Sequence, residues 1–230
     1  MSKQKNTKFK VYSKLGLRLT NHPKIFSNKL SSKKWKNLQS IHRRPRKETE
    51  YGVMLQAKQR LSCFYGLLKD NQLTRKYVFA KKFHGNQTIN FIKLIERRLD
   101  VILYRCKISP SFHQLRQLIQ HGHILLNGSS VNKSSSLLSV GDCISIKQGS
   151  YVTVKSMYSK YSEQTSNPVK QNIKGILDKY PLLVTPNYIE FNPELLEGRL
   201  VMLPETSDIL YPMDPQLTHL MEYYKYKKKI

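Results

Sequence analysis

The chain has few acidic residues and few cysteines, and it has no long apolar run. Its 230 residues include 15 Asp and Glu against 40 Lys and Arg, a net charge of +25. No stretch approaches the roughly 18 consecutive apolar residues that a membrane helix needs, so we expect no membrane partner. The sequence also lacks the nucleophile-elbow, P-loop, metalloprotease and dinucleotide-binding motifs. These absences argue against most enzyme classes and leave a polyanion as the expected partner.

The three cysteines, Cys63, Cys106 and Cys143, are far apart and form no CxxC pair. We therefore expect no metal site, no disulfide framework and no cofactor. His121 and His123 are spaced like a metal pair, but no third ligand lies near them in the sequence. Buried or reduced thiols are the expected state of the cysteines.

The positive charge is concentrated towards the N-terminus. Residues 1–50 carry a net charge of +13, residues 51–100 carry +7, residues 101–150 carry +4 and residues 151–230 carry +1. Residues 1–47 are rich in Lys, Ser and Asn, which is typical of an extended basic arm that orders on RNA. The cluster at 42–47, HRRPRK, is a candidate phosphate contact. An organelle transit peptide is the alternative reading of this arm.

Apolar spacing predicts three helices before residue 107. The spacing of Tyr51, Leu55, Leu61 and Leu68 predicts a helix over Glu50–Leu68, and 69–84 forms a second. The clearest stripe predicts one continuous amphipathic helix over Ile89–Cys106, with Arg97, Arg98 and Arg105 largely off its apolar face.

A helix and a hairpin follow. Ser111 is the expected N-cap of the next helix, with Gln114 completing a capping box, and Gly122 suits the position after its C-terminus. A strand over His123–Leu126 leads into an Asn127–Gly128 turn, which is a strong hairpin signal. We expect Val131 to begin the return and a Gly141–Asp142 turn to lead into the strand Cys143–Ile146.

The remaining chain is less regular. The stretch 155–168 resembles an insertion or a flexible helix, and strands are predicted over Tyr188–Asn192 and Leu196–Pro204. The C-terminal stretch combines an apolar patch with a basic tail.

Several motifs together resemble the S-four RNA-binding domain, and the wider chain is similar to the small-subunit ribosomal protein four family. They are RLD (98–100), YR (104–105), RQLI (116–119), HGHILLNG (121–128), VN (131–132) and VGD (140–142). The block at 48–68 is similar to the helical segment that precedes this domain in the family. The YIEF, LEGRLVMLPE and MEYYK segments resemble its closing strands and C-terminus.

The resemblance implies an α+β fold, in which a helical domain flanks an S-four-type αL RNA-binding domain that follows a basic N-terminal extension. We assign 1–47 to the arm, 48–92 with 187–230 to the helical domain, 93–150 to the S-four domain and 151–186 to an insertion or linker. The chain departs from the family in lacking its N-terminal cysteine cluster, in Cys63 and Leu115, and in a longer stretch near 155–185.

The family implies a non-catalytic structural protein of the small ribosomal subunit. Its partners would be the 5′ domain of small-subunit rRNA early in assembly, neighbouring small-subunit proteins, and mRNA near the entry channel. The composition, with 29 Lys against 11 Arg and frequent Asn, Ser, Tyr and Ile, suggests an AT-rich organellar genome. We expect a mitochondrial ribosome, with the plastid ribosome as the alternative.

Arg98, Arg105 and Arg116 are the residues expected to make bidentate phosphate contacts. For Arg98 the alternative is a structural role, in which it pairs with Asp100 or Glu96. The full set of candidate RNA-binding residues is Arg43, Arg44, Arg46, Lys58, Arg60, Arg97, Arg98, Arg105, Ser111, Arg116, Gln117, His121, His123, Asn127 and Lys133.

Two rival functions remain open. One is a free RNA-binding regulator with an S-four domain. The other is an rRNA pseudouridine synthase, since those enzymes can carry this domain and an RLD tripeptide, which would make Asp100 a nucleophile. The upstream block and the basic arm favour the ribosomal protein over both.

Overall fold

The structure is a computed structural model that describes residues 49–166, 185–206, 208–209, 211 and 216–229. The described residues form two compact units. One unit holds 49–74 and 216–229, and the other holds the described residues between 75 and 211. The predicted arm over 1–47 lies outside the described residues.

The first unit is built on two helices that pack together, α1 (Glu50–Phe64) and α7 (Leu217–Lys229). Thr49 caps α1, because its hydroxyl accepts a hydrogen bond from Gly52 N at 3.2 Å. The interior holds aliphatic and aromatic side chains of both helices. Among them are Ala57, Leu61, Leu220 and Tyr224. Helix α2 (Asp70–Ala80) begins in this unit and carries the chain into the second.

The single helix predicted over Ile89–Cys106 is two helices, α3 (Gln87–Glu96) and α4 (Leu99–Arg105). Arg98 interrupts them with an extended backbone, at φ −71° and ψ 140°. The loop over 131–142 supplies hydrogen bonds that the break leaves open, since Leu99 N donates to Ser136 O at 2.9 Å. The apolar periodicity does not indicate this break, because the apolar residues before and after it are buried and continue the same spacing.

Helix α5 (Phe112–Gln120) begins at Ser111 as predicted, but the capping box is wrong. The Ser111 side chain makes no capping hydrogen bond, and the Gln114 side chain instead pairs with Ser109 Oγ at 2.6 Å. At the other end Gly122 follows the C-cap with φ +73°, which confirms its predicted position.

One antiparallel sheet organises the second unit, with five strands in the order β2-β1-β3-β5-β4. The strands are β1 (Ile124–Leu126), β2 (Ser129–Ser130), β3 (Cys143–Ile146), β4 (Ile189–Asn192) and β5 (Glu197–Leu200). The return strand starts at Ser129 and not at Val131, because Asn127 and Gly128 alone make the turn, with φ of 50° and 80°.

The two late strands belong to the sheet of the second unit. Cys143 of β3 pairs with Arg199 of β5, so β4 and β5 extend the sheet of the hairpin. The predicted helical domain combines 48–92 with 187–230, and of the described residues in those ranges the first unit holds 49–74 and 216–229. Residues 75–92 likewise belong to the second unit.

The segment after β3 is a helix. A 3₁₀ turn (Gln148–Ser150) leads into α6 (Tyr151–Ser166), where a flexible helix or insertion was expected from residue 155. Val154 is fully buried, and the Tyr158 ring lies 6.0 Å from the ring of Phe191 in β4. The start of this helix is therefore part of the packed unit.

Candidate nucleic-acid interface

Two arginines share one buried carboxylate where α3 breaks into α4. Arg98 donates through Nε to Asp100 Oδ1 at 2.9 Å and through Nη2 to Oδ2 at 3.0 Å. Arg116 of α5 donates through Nε to the same Oδ2 at 2.8 Å. The Asp100 side chain is fully buried and Arg98 is 2% exposed, whereas Arg116 is 19% exposed. Of these three groups, Arg116 reaches the surface.

A second buried network involves Arg105. Its Nη2 donates to Glu96 Oε1 at 2.7 Å, and the Tyr188 hydroxyl donates to Glu96 Oε2 at 3.0 Å. Burial and the neighbouring Glu96 charge raise the pKa of Tyr188, so its hydroxyl stays protonated and donates. This network joins α3, α4 and the start of β4.

The two networks correct the sequence analysis. Arg98 and Arg105 were expected to face RNA, but the structure buries both against carboxylates. A buried ionised side chain is tolerated only when it is paired and hydrogen-bonded. Asp100 and Glu96 supply those partners, and through these ion pairs the two arginines hold the helices together.

Positive charge is in excess around Asp100. One carboxylate faces two guanidiniums there, and Lys76 of α2 lies close enough for nearby arginines to change its pKa. Burial, and then repulsion from Arg98 and Arg97, lowers the pKa of Lys76 to about 8. The Arg97 Nε donates to Leu138 O at 2.7 Å, and this side chain is half-buried. This region of the second unit thus carries more positive charge than its own acids neutralise.

The outward face of α5 and the turn after it place polar side chains together. Gln117, Gln120 and His121 are exposed on this face, next to Arg116. The His121 and His123 rings lie 6.0 Å apart and nearly parallel, at 8°. His123 Nδ1 lies 2.7 Å from Ser150 Oγ, which fixes the ring beside the 3₁₀ turn. Guanidinium, amide and imidazole groups on one face suit phosphates and bases of folded RNA.

The hairpin tip is braced from within. Asn127 Nδ2 donates to Asp142 Oδ1, and Asn127 Oδ1 accepts from Cys143 N, both at 2.9 Å. Asp142 also accepts from Ser139 N at 2.7 Å. The Asn127 side chain, expected to bind RNA, is therefore engaged in holding the turn. Gly128 is exposed and has open space beside it, and Lys133 is exposed, so a backbone or a phosphate has access to the tip.

The other candidates are scattered. Arg43, Arg44 and Arg46 lie outside the described residues. Lys58 lies in the first unit, 3.4 Å from Asp70 with its side chain 16% exposed, and Arg60 is half-buried and donates to Gln216 Oε1 at 3.3 Å. Ser111 is half-buried at the start of α5. The structure brings together Arg116, Gln117, His121 and His123, with Lys133 on the following loop.

Sequence reasoning offered Asp100 as an alternative partner of Arg98, and the structure contains that pair, but it missed Tyr188 and Asp142 as organising residues. Asp142 contacts Asn127 across 15 positions, and Tyr188 contacts Glu96 across 92. The available signal for Asp100 was an acid that lies two positions after Arg98 in an acid-poor sequence. The two long-range contacts follow from strand pairing and have no local signature.

Within the described ranges no group of three or more His, Cys, Asp or Glu is placed to hold a metal ion. Burial raises the pKa of Cys63 and of Cys106 to about 12, so both thiols are protonated and unreactive at neutral pH. None of the described helices is long and apolar enough to cross a membrane.

Comparison with known families and proteins gives consistent matches along the chain. Residues 3–96 match the family model for the ribosomal protein S4/S9 N-terminal domain, and residues 97–144 match the model for the S4 domain. A protein of Rickettsia bellii (strain OSU 85-389) named small ribosomal subunit protein uS4 is 33% identical over 226 residues. The match covers 97% of this chain and 99% of the relative.

Two further relatives have the same name. The protein of Granulibacter bethesdensis is 30% identical over 224 residues, covering 97% of this chain and 99% of the relative. The protein of Rickettsia canadensis is 35% identical over 178 residues, covering 77% of this chain and 78% of the relative. The similarity thus extends over both units of the fold.

Proposed function

Because this chain belongs to the small ribosomal subunit protein uS4 family, we propose that it is a structural constituent of the small ribosomal subunit and binds its rRNA. The observation that carries this proposal is the similarity over 97% of the chain to a uS4 relative that is itself covered to 99%. A free regulator that shared only the RNA-binding domain would match over part of that length.

The RNA-binding face we propose is formed by Arg116, Gln117, His121 and His123, with Lys133 beside it. Arg116 is positioned for it by Asp100, whose carboxylate holds the Nε side of the guanidinium. A planar guanidinium fixed along one edge is preorganised for phosphate. Excess positive charge behind this face, on Arg97, Arg98 and Lys76, adds long-range attraction for a polyanion.

We further propose the finer roles that the family resemblance implies. The chain would bind the 5′ domain of small-subunit rRNA early in assembly, contact neighbouring small-subunit proteins and contribute to the mRNA entry side. The Lys-rich, Asn-rich composition supports an organellar ribosome, and the long, interrupted C-terminal half supports a mitochondrial ribosome in preference to a plastid one. The basic arm at 1–47 would order on the same rRNA.

Catalysis by the RLD tripeptide is disfavoured by the geometry. A nucleophilic carboxylate must reach its substrate, and Asp100 is fully buried with both oxygens bonded to guanidiniums. We therefore propose that Asp100 has a structural role and that the protein is not an enzyme.

Sedimentation tests the ribosomal assignment. A native lysate is separated on a sucrose gradient in magnesium, and the fractions are probed for this chain after a high-salt wash. We expect the chain to remain with the small subunits of one organelle, identified by their rRNA. Recovery only in the soluble fractions would overturn the structural role and favour a free RNA-binding regulator.

A further inference from the structure

A second surface of the second unit combines exposed aromatic rings with basic side chains. It lies at the C-terminal end of α2 and in the turn that follows, far in sequence from the α5 face. Its exposed members define what we call the α2 patch: Arg75, Val78, Phe79, Lys81, Lys82, Phe83 and His84. Val78, Phe79 and Phe83 are 46%, 40% and 46% exposed, which is high for large apolar side chains.

The two phenylalanines form a pair at the surface. The ring centroids of Phe79 and Phe83 are 5.1 Å apart, with the planes at 87°. An edge-to-face pair is a favourable arrangement that fixes both rings relative to each other. Because so much of each ring is uncovered, the pair offers aromatic surface to a planar ligand.

The backbone under the pair is held in place. Lys82 N donates to Phe79 O at 3.0 Å, and Asn90 Nδ2 donates to His84 O at 3.1 Å. Asn86 caps α3 by accepting from Thr88 N at 2.9 Å. The turn that carries Phe83 is therefore anchored to the helices on both sides, so the patch is ordered before any ligand binds.

The positive charge around the α2 patch indicates a polyanionic ligand. Between residues 71 and 95 there are five basic residues, together with His84, and no acidic residue. Exposed apolar rings in such a setting do not suit a basic or neutral protein partner. A single-stranded nucleic acid supplies both complements, since its bases stack on aromatic rings and its phosphates pair with Lys and Arg.

We propose that the α2 patch is a second RNA-binding surface, on which Phe79 and Phe83 stack unpaired bases while Arg75, Lys81 and Lys82 contact the adjoining phosphates. This deepens the proposed function, on which it rests, by adding a contact to unpaired RNA.

The test compares the full-length protein with three double variants at Phe79 and Phe83. One changes both residues to Ala, one to Leu and one to Tyr. The probes are an unstructured RNA of about 12 nucleotides that contains one 2-aminopurine, and an abasic ribose-phosphate oligomer of the same length. The control variant is Val152→Ala, at an exposed apolar position of α6 in the same unit.

We expect the Ala and Leu variants to bind the RNA at least about fivefold more weakly than the parent protein. They should lose the quenching of 2-aminopurine and bind the abasic oligomer as before. The Tyr variant, which keeps two aromatic rings, should retain both affinity and quenching, and Val152→Ala should change neither. Unchanged RNA binding by the Leu variant, or an equal loss on both probes, would overturn the stacking proposal.

A cross-linking experiment decides between RNA and a protein on this patch in assembled particles. A photoreactive benzoylphenylalanine replaces Phe79 in the full chain, and particles that contain it are irradiated. Cross-links to RNA support the proposal, and cross-links to protein alone overturn it. Neither result alters the sedimentation test, so failure here and failure of the ribosomal assignment are distinguishable.

Discussion

Arg116 donates to Asp100 Oδ2 at 2.8 Å while it remains 19% exposed, so a surface guanidinium is held in position by a fully buried carboxylate. The same carboxylate neutralises Arg98 in the interior. Asp100 therefore serves two purposes at once, since it closes the break between α3 and α4 and it positions the proposed phosphate contact. Its loss should be felt both in stability and in RNA binding.

The first prediction is that Asp100→Asn destabilises the second unit by about 3–5 kcal/mol, because it leaves the Arg98 charge buried without a counter-charge. Urea unfolding of the full-length protein measures this. Glu190→Gln is the control, at an exposed acid of the same unit, and should change the free energy of unfolding by less than about 0.5 kcal/mol. A cost for Asp100→Asn no larger than the control would contradict the structural role.

The second prediction separates Arg116 from Arg105. Arg116→Ala should lower the log–log slope of rRNA binding against salt by about one, since one phosphate contact is lost, with about 1 kcal/mol of destabilisation. Arg105→Ala should instead cost about 3–5 kcal/mol of stability by stranding Glu96, and leave the slope of the folded protein unchanged. Filter binding at salt concentrations from about 50 to 300 mM measures the slope. Urea unfolding measures the change in stability. A lower slope for Arg105→Ala would restore it as a phosphate contact.

How far the sequence predicts this structure is shown by the segment from α3 to β3. The helix α5, Gly122 after it, the Asn127–Gly128 turn and the strand at 143–146 follow from local chemistry, and all are found. Spacing cannot tell a buried arginine from an exposed one, because the partner carboxylate is chosen by tertiary packing. Arg98 and Arg105 were placed on the RNA side for that reason.

The pairing of distant strands has no local signal in the sequence either. Strand β5 pairs with β3 across more than 50 residues of sequence, and nothing in Glu197–Leu200 indicates which edge it joins. Similarly, the exposure of Phe79 and Phe83 is visible only once α2 is packed, since their spacing of four reads equally well as a core stripe.

The third prediction concerns the hairpin tip. Asn127→Ala should destabilise the second unit by about 1–2 kcal/mol, because Asp142 and the Cys143 amide lose their partner and Ala disfavours φ of 50°. Asn127→Gly should recover the backbone part of that loss but not the hydrogen bonds. Thermal unfolding measures both, and Asn187→Ala, at an exposed position of the same unit, gives the surface baseline. Equal stability of Asn127→Ala and the parent would show that the brace is dispensable.

The fourth prediction uses the ion pairs of Asp70 in the first unit. Burial opposes ionisation there, but the hydrogen bond from Lys227 and the charges of Lys58 and Lys227 lower the pKa of Asp70 below its usual range. The stabilisation is therefore present above the unfolded-state pKa, near 4, and is lost as the pH falls through the folded-state pKa. Asp70→Asn should cost about 1 kcal/mol at pH 7 and nothing at the acid end. Urea unfolding across that pH range measures the difference, and a cost independent of pH would contradict an ionic origin.

The last prediction follows from Lys76, whose pKa of about 8 lies below the ordinary lysine value because of burial and of repulsion from Arg98 and Arg97. A lowered folded-state pKa means that the charged lysine costs stability in full below pH 8. The cost fades as the pH rises from 8 past the unfolded-state value near 10.4. Lys76→Met should thus stabilise the free protein by on the order of 1 kcal/mol at pH 7, once solvent screening is allowed for, and by less at pH 10.

Urea unfolding at the two pH values measures this, with Lys133→Met as the exposed control that should show no such difference. Lys76→Met should also weaken RNA binding, because the excess positive charge that destabilises the free protein attracts the phosphates. A variant that is no more stable at pH 7 than the parent would show that Asp100 already balances this charge. If stability rises while RNA affinity falls, the crowded cations of the second unit are kept for binding at the expense of folding.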